Sequence, residues 1–484
     1  MLFDFSGPAP QAKTLEEAQA LIDVLWKICG QMQTEIIELK TRVKKLEEQV
    51  NKNSGNSSKP PSSDGFQKPS PKSLREKSGK KRGGQHGHQR SILEKHPNPH
   101  KTITHAVNHC IQCNHRLKDT ALSSYETHQV FDIPPLQIEI TEHRAEQKQC
   151  PHCQHVNTAV FPAGVEQPTQ YGSALKGLAI YLNQYQFLLY ERLQVFFKDI
   201  LGHSISQGMF VKMNQQCYKK LAIVDAEIKR QLIGAKNLHH DETGLRVNKK
   251  MHWCHVASTA YVTHYGIHQK RGKEGIDATG ILPHFTGRLI HDFFRPYFNY
   301  DCKHGLCNAH HLRELKFIAE ECEQVWATHM ADLLLAIKNQ MDWHREHYLT
   351  TVSPARIAAY ERCYNEILME GLWHPDNIPK RENGKRKKKQ SIGKNLLDRL
   401  RFNRAEVLAF MYDLRVPFTN NQAEQDIRML KVKQKISGCF RGEESPQWFA
   451  RIRSYISTAN KQGQNILAAL QGVFTGTPFW PRYA

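Results

Sequence analysis

Between Leu15 and Val50 apolar residues return every three and four positions. With Leu25, Met32, Leu39 and Leu46 at heptad position d, position a holds Ile22, Cys29, Ile36, Val43 and Val50, so nine consecutive core sites are apolar. Glu35, Glu38, Lys40, Arg42 and Lys45 line the flanks. A stripe this long and narrow needs a second helix to cover it, which predicts a coiled coil joining copies of the chain as a homo-oligomer. An amphipathic helix laid on the parent domain is the alternative.

The heptads stop at Asn51-Lys-Asn-Ser-Gly-Asn-Ser-Ser-Lys-Pro-Pro-Ser-Ser-Asp64, which is too poor in apolar residues to order and reads as a tether. From Lys68 to Arg90 it carries Lys68, Lys72, Arg75, Lys77, Lys80, Lys81, Arg82 and Arg90 against Glu76 alone. The whole chain shares this bias: 67 Lys and Arg against 47 Asp and Glu leave a net charge of +20 over 484 residues. Basic side chains displace counterions condensed on phosphates, so DNA is the expected partner. A merely solvated run of charge is the bland reading of the tether. A chain this long exceeds one core and should hold several domains. It has no apolar run of about 18 residues to cross a membrane. Met1–Pro10 has no secretory pattern, so the expected location is the cytoplasm. Without an export signal, the 12 cysteines are expected to be reduced thiols or metal ligands.

Four of them form the pairs Cys110-Ile-Gln-Cys113 and Cys150-Pro-His-Cys153. Each tight pair can place two sulfurs on one side of a metal, and two pairs fill a tetrahedral structural zinc site with no position left for water. The 36 residues between them exceed the usual spacing, but Pro134-Pro135 and the alternating run Gln137-Ile-Glu-Ile-Thr-Glu-His143 predict a ribbon hairpin. Four buried free thiols, or a site that uses His109, His115, His152 or His155, are the alternatives.

Tyr171 to Leu232 reads as helices. A helix ending at Gly202 and a Ser-capped helix from Ile205 to Lys212 fit a helix-turn-helix, with Lys212 a candidate DNA contact, although ordinary bundles show the same pattern. After Gly234 the pattern turns to strands: Leu238–Val247 around Asp241, His252–Ser258, Tyr261–Ile267 after a Thr259-Ala260 turn, then a short helix Gly275–Leu282 and a strand Gly287–Asp292. A short strand around Leu306 precedes a helix from about His311. Three antiparallel strands, then helix, strand, helix, strand is how an RNase H-like domain begins. In that arrangement Asp241 and Asp292, 51 residues apart, become neighbours.

A third acid, Glu424, falls on the first turn of a helix for which Asn420 or Asn421 is the expected N-cap. Three converging carboxylates repel one another unless cations intervene. Two Mg²⁺ ions would bind them and activate water or a 3′-hydroxyl against a phosphodiester. The 132 residues from Asp292 to Glu424 are too many for a simple connection, and they carry helical patterns at Val325–Leu349, Ser353–Glu370 and Asn395–Asp413. They predict an all-helical insertion whose tip, Lys380–Lys389, has seven basic residues in ten.

Several stretches resemble the DDE transposases of the bacterial insertion sequence 66 family. They are Asn56–Asp64, Gly83-Gly-Gln-His-Gly-His88, the two CxxC pairs, His240-Asp-Glu-Thr-Gly244, Cys307-Asn-Ala-His310 with Arg313, and Asn420-Asn-Gln-Ala-Glu424 with Arg428. Lys435–Arg441 and Ser454–Lys461 belong with them. The resemblance implies that Asp241, Asp292 and Glu424 are the catalytic triad and that Cys110, Cys113, Cys150 and Cys153 bind zinc. It also implies a nucleoid-associated bacterial protein that acts on transposon ends and target DNA, with accessory proteins of the same element as further partners. Candidate DNA contacts are Lys80, Lys81, Arg82, Lys212, Arg313, Arg428, Lys433, Lys435 and Arg441, with His311 beside them. His86 stands where the family often has Pro. The Gly-Tyr that often follows the second acid is Phe293-Phe294 here, which leaves Asp277 and Asp301 as fallbacks. Cys307 and His310 are either a metal-binding pair or a buried structural element.

The expected fold is thus α+β and multidomain. A coiled coil occupies 1–52, a basic linker 53–108, a zinc ribbon-like segment 109–160 and a helical DNA-binding region 161–235. An RNase H-like mixed sheet over 236–316 is interrupted by the helical insertion 317–416. The core helix with the third acid spans 417–440, and a C-terminal segment 441–484. The function expected is Mg-dependent cleavage and strand transfer at the ends of an insertion sequence. A catalytically inactive, transposase-derived zinc- and DNA-binding protein is the runner-up, and a nuclease of RNase H type the third reading.

Overall fold

The computed structural model describes residues 11–53, 93–378 and 390–482. Lys80, Lys81 and Arg82 in the basic tether, and the insertion tip, lie outside them. The chain divides into two compact units, Lys72–His143 with Val195–Ser204, and the remainder.

The smaller unit contains the first cysteine pair. Its turn is closed by Cys110 N–H donating to His115 O at 2.8 Å and Asn114 N–H to Cys110 O at 2.9 Å, with Asn114 at φ +58°. Pro134-Pro135 and residues 137–143 carry no strand, so the expected ribbon hairpin is absent there.

The larger unit begins with α1 (Leu15–Val50), whose N-cap Thr14 accepts from Glu17 N–H at 3.2 Å. Leu25, Leu39 and Leu46 on its apolar seam stay more than half exposed. Beyond its end, Asn51 donates to Glu321 Oε2 at 2.7 Å and the Lys52 ammonium lies over the Phe317 ring. The second cysteine pair sits between strands β1 (Gln147–Gln149) and β2 (Val156–Thr158), which pair antiparallel. Helices α2 (Ser173–Ile180), α3 (Tyr190–Leu201, from Val195 on part of the smaller unit), α4 (Gln207–Lys220) and α5 (Ala222–Ile233) follow. Gly202, at φ +65°, ends α3, and Ser206 caps α4 by accepting from Met209 N–H.

The core sheet comprises β3 (Asn237–Val247), β4 (Lys250–Ser258), β5 (Thr263–His268), β6 (Arg288–His291) and β7 (Lys303–Leu306). Their order is β5-β4-β3-β6-β7; the first three strands are antiparallel, while β6 runs parallel to β3 and β7 to β6. Asn248 and Lys249, both at positive φ, make the β3–β4 turn tight enough to match the strand twist. The short helix α6 (Lys273–Asp277) lies between β5 and β6. Between β6 and β7 the chain forms only a 3₁₀ turn, Arg295–Asn299, where a helix was expected; Pro296 at its start and a short connection leave no room for more.

Helices then run without further strands: α7 (Asn308–Glu321), α8 (Val325–Glu346), α9 (Pro354–Trp373), α10 (Ile392–Phe402), α11 (Arg404–Val407) and α12 (Ala409–Tyr412). α7 starts at Asn308, three residues ahead of the helix expected from about His311, and the single helix expected over 395–413 is broken at Asn403 and Leu408. These helices bury a core that includes Leu315, Trp326, Met330, Tyr364, Leu397 and Phe410, joined to the sheet through Ile290 and Leu306. The chain closes with α13 (Asn421–Ser437), α14 (Ser445–Lys461) and α15 (Ile466–Thr475). Ile427, Leu430 and Phe449 cover Leu245, Val256 and Tyr265 of the sheet. No helix among the described residues is long and apolar enough to cross a membrane.

Candidate active site

Asp241 stands in the middle of β3, Asp292 directly after β6, and Glu424 in the first turn of α13. Parallel pairing of His239 with Ile290 brings the end of β6 beside Asp241. Asn420 delivers α13 to the same place. Its side chain does not cap the helix as expected; instead Nδ2 donates to His240 O at 2.8 Å and Oδ1 accepts from His239 Nδ1 at 2.9 Å. Its backbone N–H points at Cys307 Sγ, 3.1 Å away. Deeper along the helix, Lys431 and Gln434 both donate to Gly244 O at 3.1 Å. Asp426 accepts from Lys461 Nζ at 2.7 Å and from Thr263 Oγ1 at 3.3 Å, which ties α13 to α14 and β5.

Asp241 feels the charges of the other two acids. The Asp241 carboxyl is held well above the usual carboxylate range, first by burial, then by the charges of Glu242, Asp292 and Glu424. Its Oδ1 accepts from Glu242 N–H at 2.8 Å. Glu424 Oε1 is buried without a hydrogen-bond partner. Buried charge that is neither paired nor hydrogen-bonded is costly, and oxygen donors left in this condition fit a hard divalent cation. Asp292 Oδ1 accepts from Phe294 N–H at 3.1 Å. Neither fallback joins the group: Asp277 pairs with Lys273 at 2.6 Å and accepts from Tyr300 at 2.7 Å, while Asp301 is exposed.

Phe293 adopts φ +76°, a region where a side chain is strained. This is the position at which the resembling family often has glycine, which enters that region freely. Here the Arg399 guanidinium over the ring, 4.7 Å from its centroid, and Phe298 at 5.4 Å hold the phenylalanine in place.

A fourth carboxylate, Glu242, escaped the sequence reading. Strand alternation turns it to the face opposite Asp241, so a search for converging acids passes over it. Tyr297 donates its hydroxyl to Oε2, and Arg271 reaches Oε1 through Nε at 2.9 Å and Nη2 at 2.8 Å. Arg271 itself lies against the Trp253 and Phe294 rings. Burial and the charge of Asp292 raise Glu242 to about 7 despite these partners. On the same face, histidines occupy four adjacent strands: buried His255 on β4, His240 on β3 and His291 on β6, and half-buried His304 on β7. His291 accepts from Phe293 N–H at Nδ1, so its Nε2 carries the proton toward His304 Nδ1, 3.1 Å away.

Of the candidate DNA contacts, Lys212, Arg428, Lys435 and Arg441 are exposed. Arg313 is half-buried, donating to Ala309 O at 3.2 Å, and His311 is buried against Asn308. Lys433 turns its ammonium onto the rings of Phe440 and Phe449, 5.1 Å from each centroid, and burial lowers it to about 8. Among the described residues, Cys307, His310 and Glu424 hold ligand atoms within 4.8 Å of one another.

The second cysteine turn repeats the first: Cys150 N–H donates to His155 O at 2.8 Å, Gln154 N–H to Cys150 O at 2.9 Å, and Gln154 has φ +59°. Backbone N–H groups lower the Cys110 and Cys150 thiols alike, from Cys113 and Gln112 in one turn and from Cys153 and His152 in the other. Two such thiolate-favouring turns are what a zinc-finger segment needs.

Comparison with known families supplies the class that the sheet and the paired cysteine turns leave open, a zinc-finger-bearing transposase. Residues 168–447, more than half of the chain, match the Transposase IS66 family, and residues 108–154 match the zinc-finger binding domain of transposase IS66. Residues 7–94 match a family of unknown function. No curated protein matches the chain. The chain belongs to the IS66 family of transposases.

Proposed function

We propose that this transposase cuts and joins DNA at the ends of its element through Asp241, Asp292 and Glu424. The observation that carries the reading is the influence of Asp292 and Glu424, each from a separate element, on a poorly solvated Asp241. The strand order, with three antiparallel strands followed by two parallel ones, supports an RNase H-like core. A pair of Mg²⁺ ions, when bound, would neutralise the acids, activate water or a 3′-hydroxyl and stabilise the departing oxygen. The chain's own part is to fix the donors: Asn420 aligns α13 with β3, the turn through Phe293 presents Asp292, and Arg271 with Tyr297 keeps Glu242 out of the group. Exposed Lys212, Arg428, Lys435 and Arg441 would follow the DNA backbone, with Lys80, Lys81 and Arg82 of the tether as further contacts. The seam of α1 would pair two chains, so that both ends are held at once. The inactive-binder alternative leaves the negative charge gathered around Asp241 without a purpose.

The test is incubation of the full chain with DNA carrying the element's ends. Mg²⁺-dependent nicking followed by joining of 3′-ends is expected; binding without cleavage in either Mg²⁺ or Mn²⁺ would leave only the binder.

Cys110, Cys113, Cys150 and Cys153 would hold structural zinc, a reading supported by the matched zinc-finger domain and by the two equivalent turns. Cys110→Ser should lower the zinc content of the purified chain by about one ion, measured by elemental analysis; an unchanged zinc content would refute the assignment.

A further inference from the structure

Cys307 precedes α7 as its N-cap, His310 lies in the first turn of that helix, and Glu424 lies in the first turn of α13. Two helix N-termini, each with its positive dipole end, thus point anionic donors into one place. Cys307 Sγ accepts the Asn420 N–H at 3.1 Å, the kind of outer contact that orients a metal-bound sulfur. His310 Nδ1 and Glu424 Oε1 are both buried and both lack a hydrogen-bond partner. Two buried polar atoms left unpaired beside a buried thiol are unusual in a folded interior, where such atoms nearly always find partners.

We infer that Cys307, His310 and Glu424 form a binding site for a zinc-class transition ion, distinct from the four-cysteine segment. The donor set is one sulfur, one imidazole and one carboxylate. Thiolate and imidazole select borderline ions such as Zn²⁺ or Co²⁺, whereas Mg²⁺ prefers oxygen alone. Three protein ligands leave a fourth position open to water or to a phosphate oxygen. The ligand atoms lie within 4.8 Å of one another. A tetrahedral ion with bonds of about 2.0–2.3 Å needs them no more than about 3.8 Å apart, an approach that side-chain rotation can supply. Loading would exchange the Cys307 thiol proton for the metal and release that proton to solvent. The site shares Glu424 with the proposed catalytic group but does not depend on catalysis.

The experiment is a Co²⁺ titration of the full chain already loaded with one equivalent of Zn²⁺, read by the near-ultraviolet sulfur-to-cobalt absorption band. A second metal per chain is expected, with a band that disappears in Cys307→Ser and a site weakened at least about tenfold in His310→Ala. Saturation at one metal per chain, or a band that survives Cys307→Ser, overturns the inference. If the serine variant loses its helical circular dichroism, the histidine variant decides on the same terms: undiminished binding overturns the site. Strand transfer in Mg²⁺ is measured in parallel. In the native chain, no second cobalt with intact strand transfer sinks this site alone, and a second cobalt with no strand transfer sinks the catalytic reading alone.

Discussion

Asp241→Asn and Glu424→Gln should each lower Mg²⁺-dependent strand transfer by about 10³-fold or more while leaving the chain folded and able to bind its ends. Each exchange is nearly isosteric and removes one charge from the group that would hold the ions, and losing a ligand or a preorganised charge typically costs a factor of about 10²–10³ or more. The same change should stabilise the metal-free protein. Asp241 is raised well above its ordinary range by burial and by three neighbouring acids. A group whose folded value is raised stabilises the fold only below its unfolded value, and that contribution is lost as pH rises through the folded value. At pH 7.5, far above the unfolded value, Asp241 therefore burdens the fold, and Asp241→Asn should relieve roughly 1–3 kcal/mol. Thermal melts without divalent ions check the sign: a higher Tm together with lost strand transfer separates a functional carboxylate from a structural one. A variant that is both active and unstable would mean that Asp241 is a structural residue.

Mild acid should destabilise the protein. His255, His264 and His311 are buried and neutral, held by burial down to about 4, about 3 and about 3. His240 and His291 shift the same way. Their folded values are depressed, so the stability they contribute is present above the unfolded value of about 6.5 and is lost as pH falls below it. Between pH 7.5 and 5.0 each of the three forfeits roughly 2 kcal/mol, because the unfolded chain takes a proton that the folded one refuses. Glu242, raised to about 7, works in the opposite sense and returns roughly 2 kcal/mol as it protonates, with Asp241 acting in the same direction. A net loss of roughly 4–6 kcal/mol is a large part of the 5–15 kcal/mol typical of a domain, and should lower Tm by about 10 °C or more. Melts at constant ionic strength measure this, and a flat Tm across that range would contradict a neutral histidine core.

Local features were readable from sequence wherever one residue type has one conformational answer. The heptads of α1, Ser353-Pro354 opening α9, Ser206 capping α4 and Gly202 closing α3 all act through their own backbone or the nearest turn. The core strands fell within about two residues of their positions because alternation marks them. Where a rule was only local, it misled. Residues 137–143 alternate but form no strand, since a strand exists only through a ladder partner. Asn420 has the composition of a cap, yet its amide is taken by His239 and His240 across the sheet.

The amino-acid pattern alone determined a long apolar seam, two thiol pairs and a change from helix to strand near residue 234, because periodicity and spacing are properties of the chain itself. Only the tertiary structure decided that Asp241 feels Asp292 and Glu424, that Glu242 is shut away by Arg271 and Tyr297, and that Cys307 and His310 meet Glu424. Those outcomes depend on parallel pairing of β3 with β6 and on Asn420 bridging segments 180 residues apart. Contacts of that range are set by how elements pack and which buried polar groups must be satisfied, and neither is written in any local stretch.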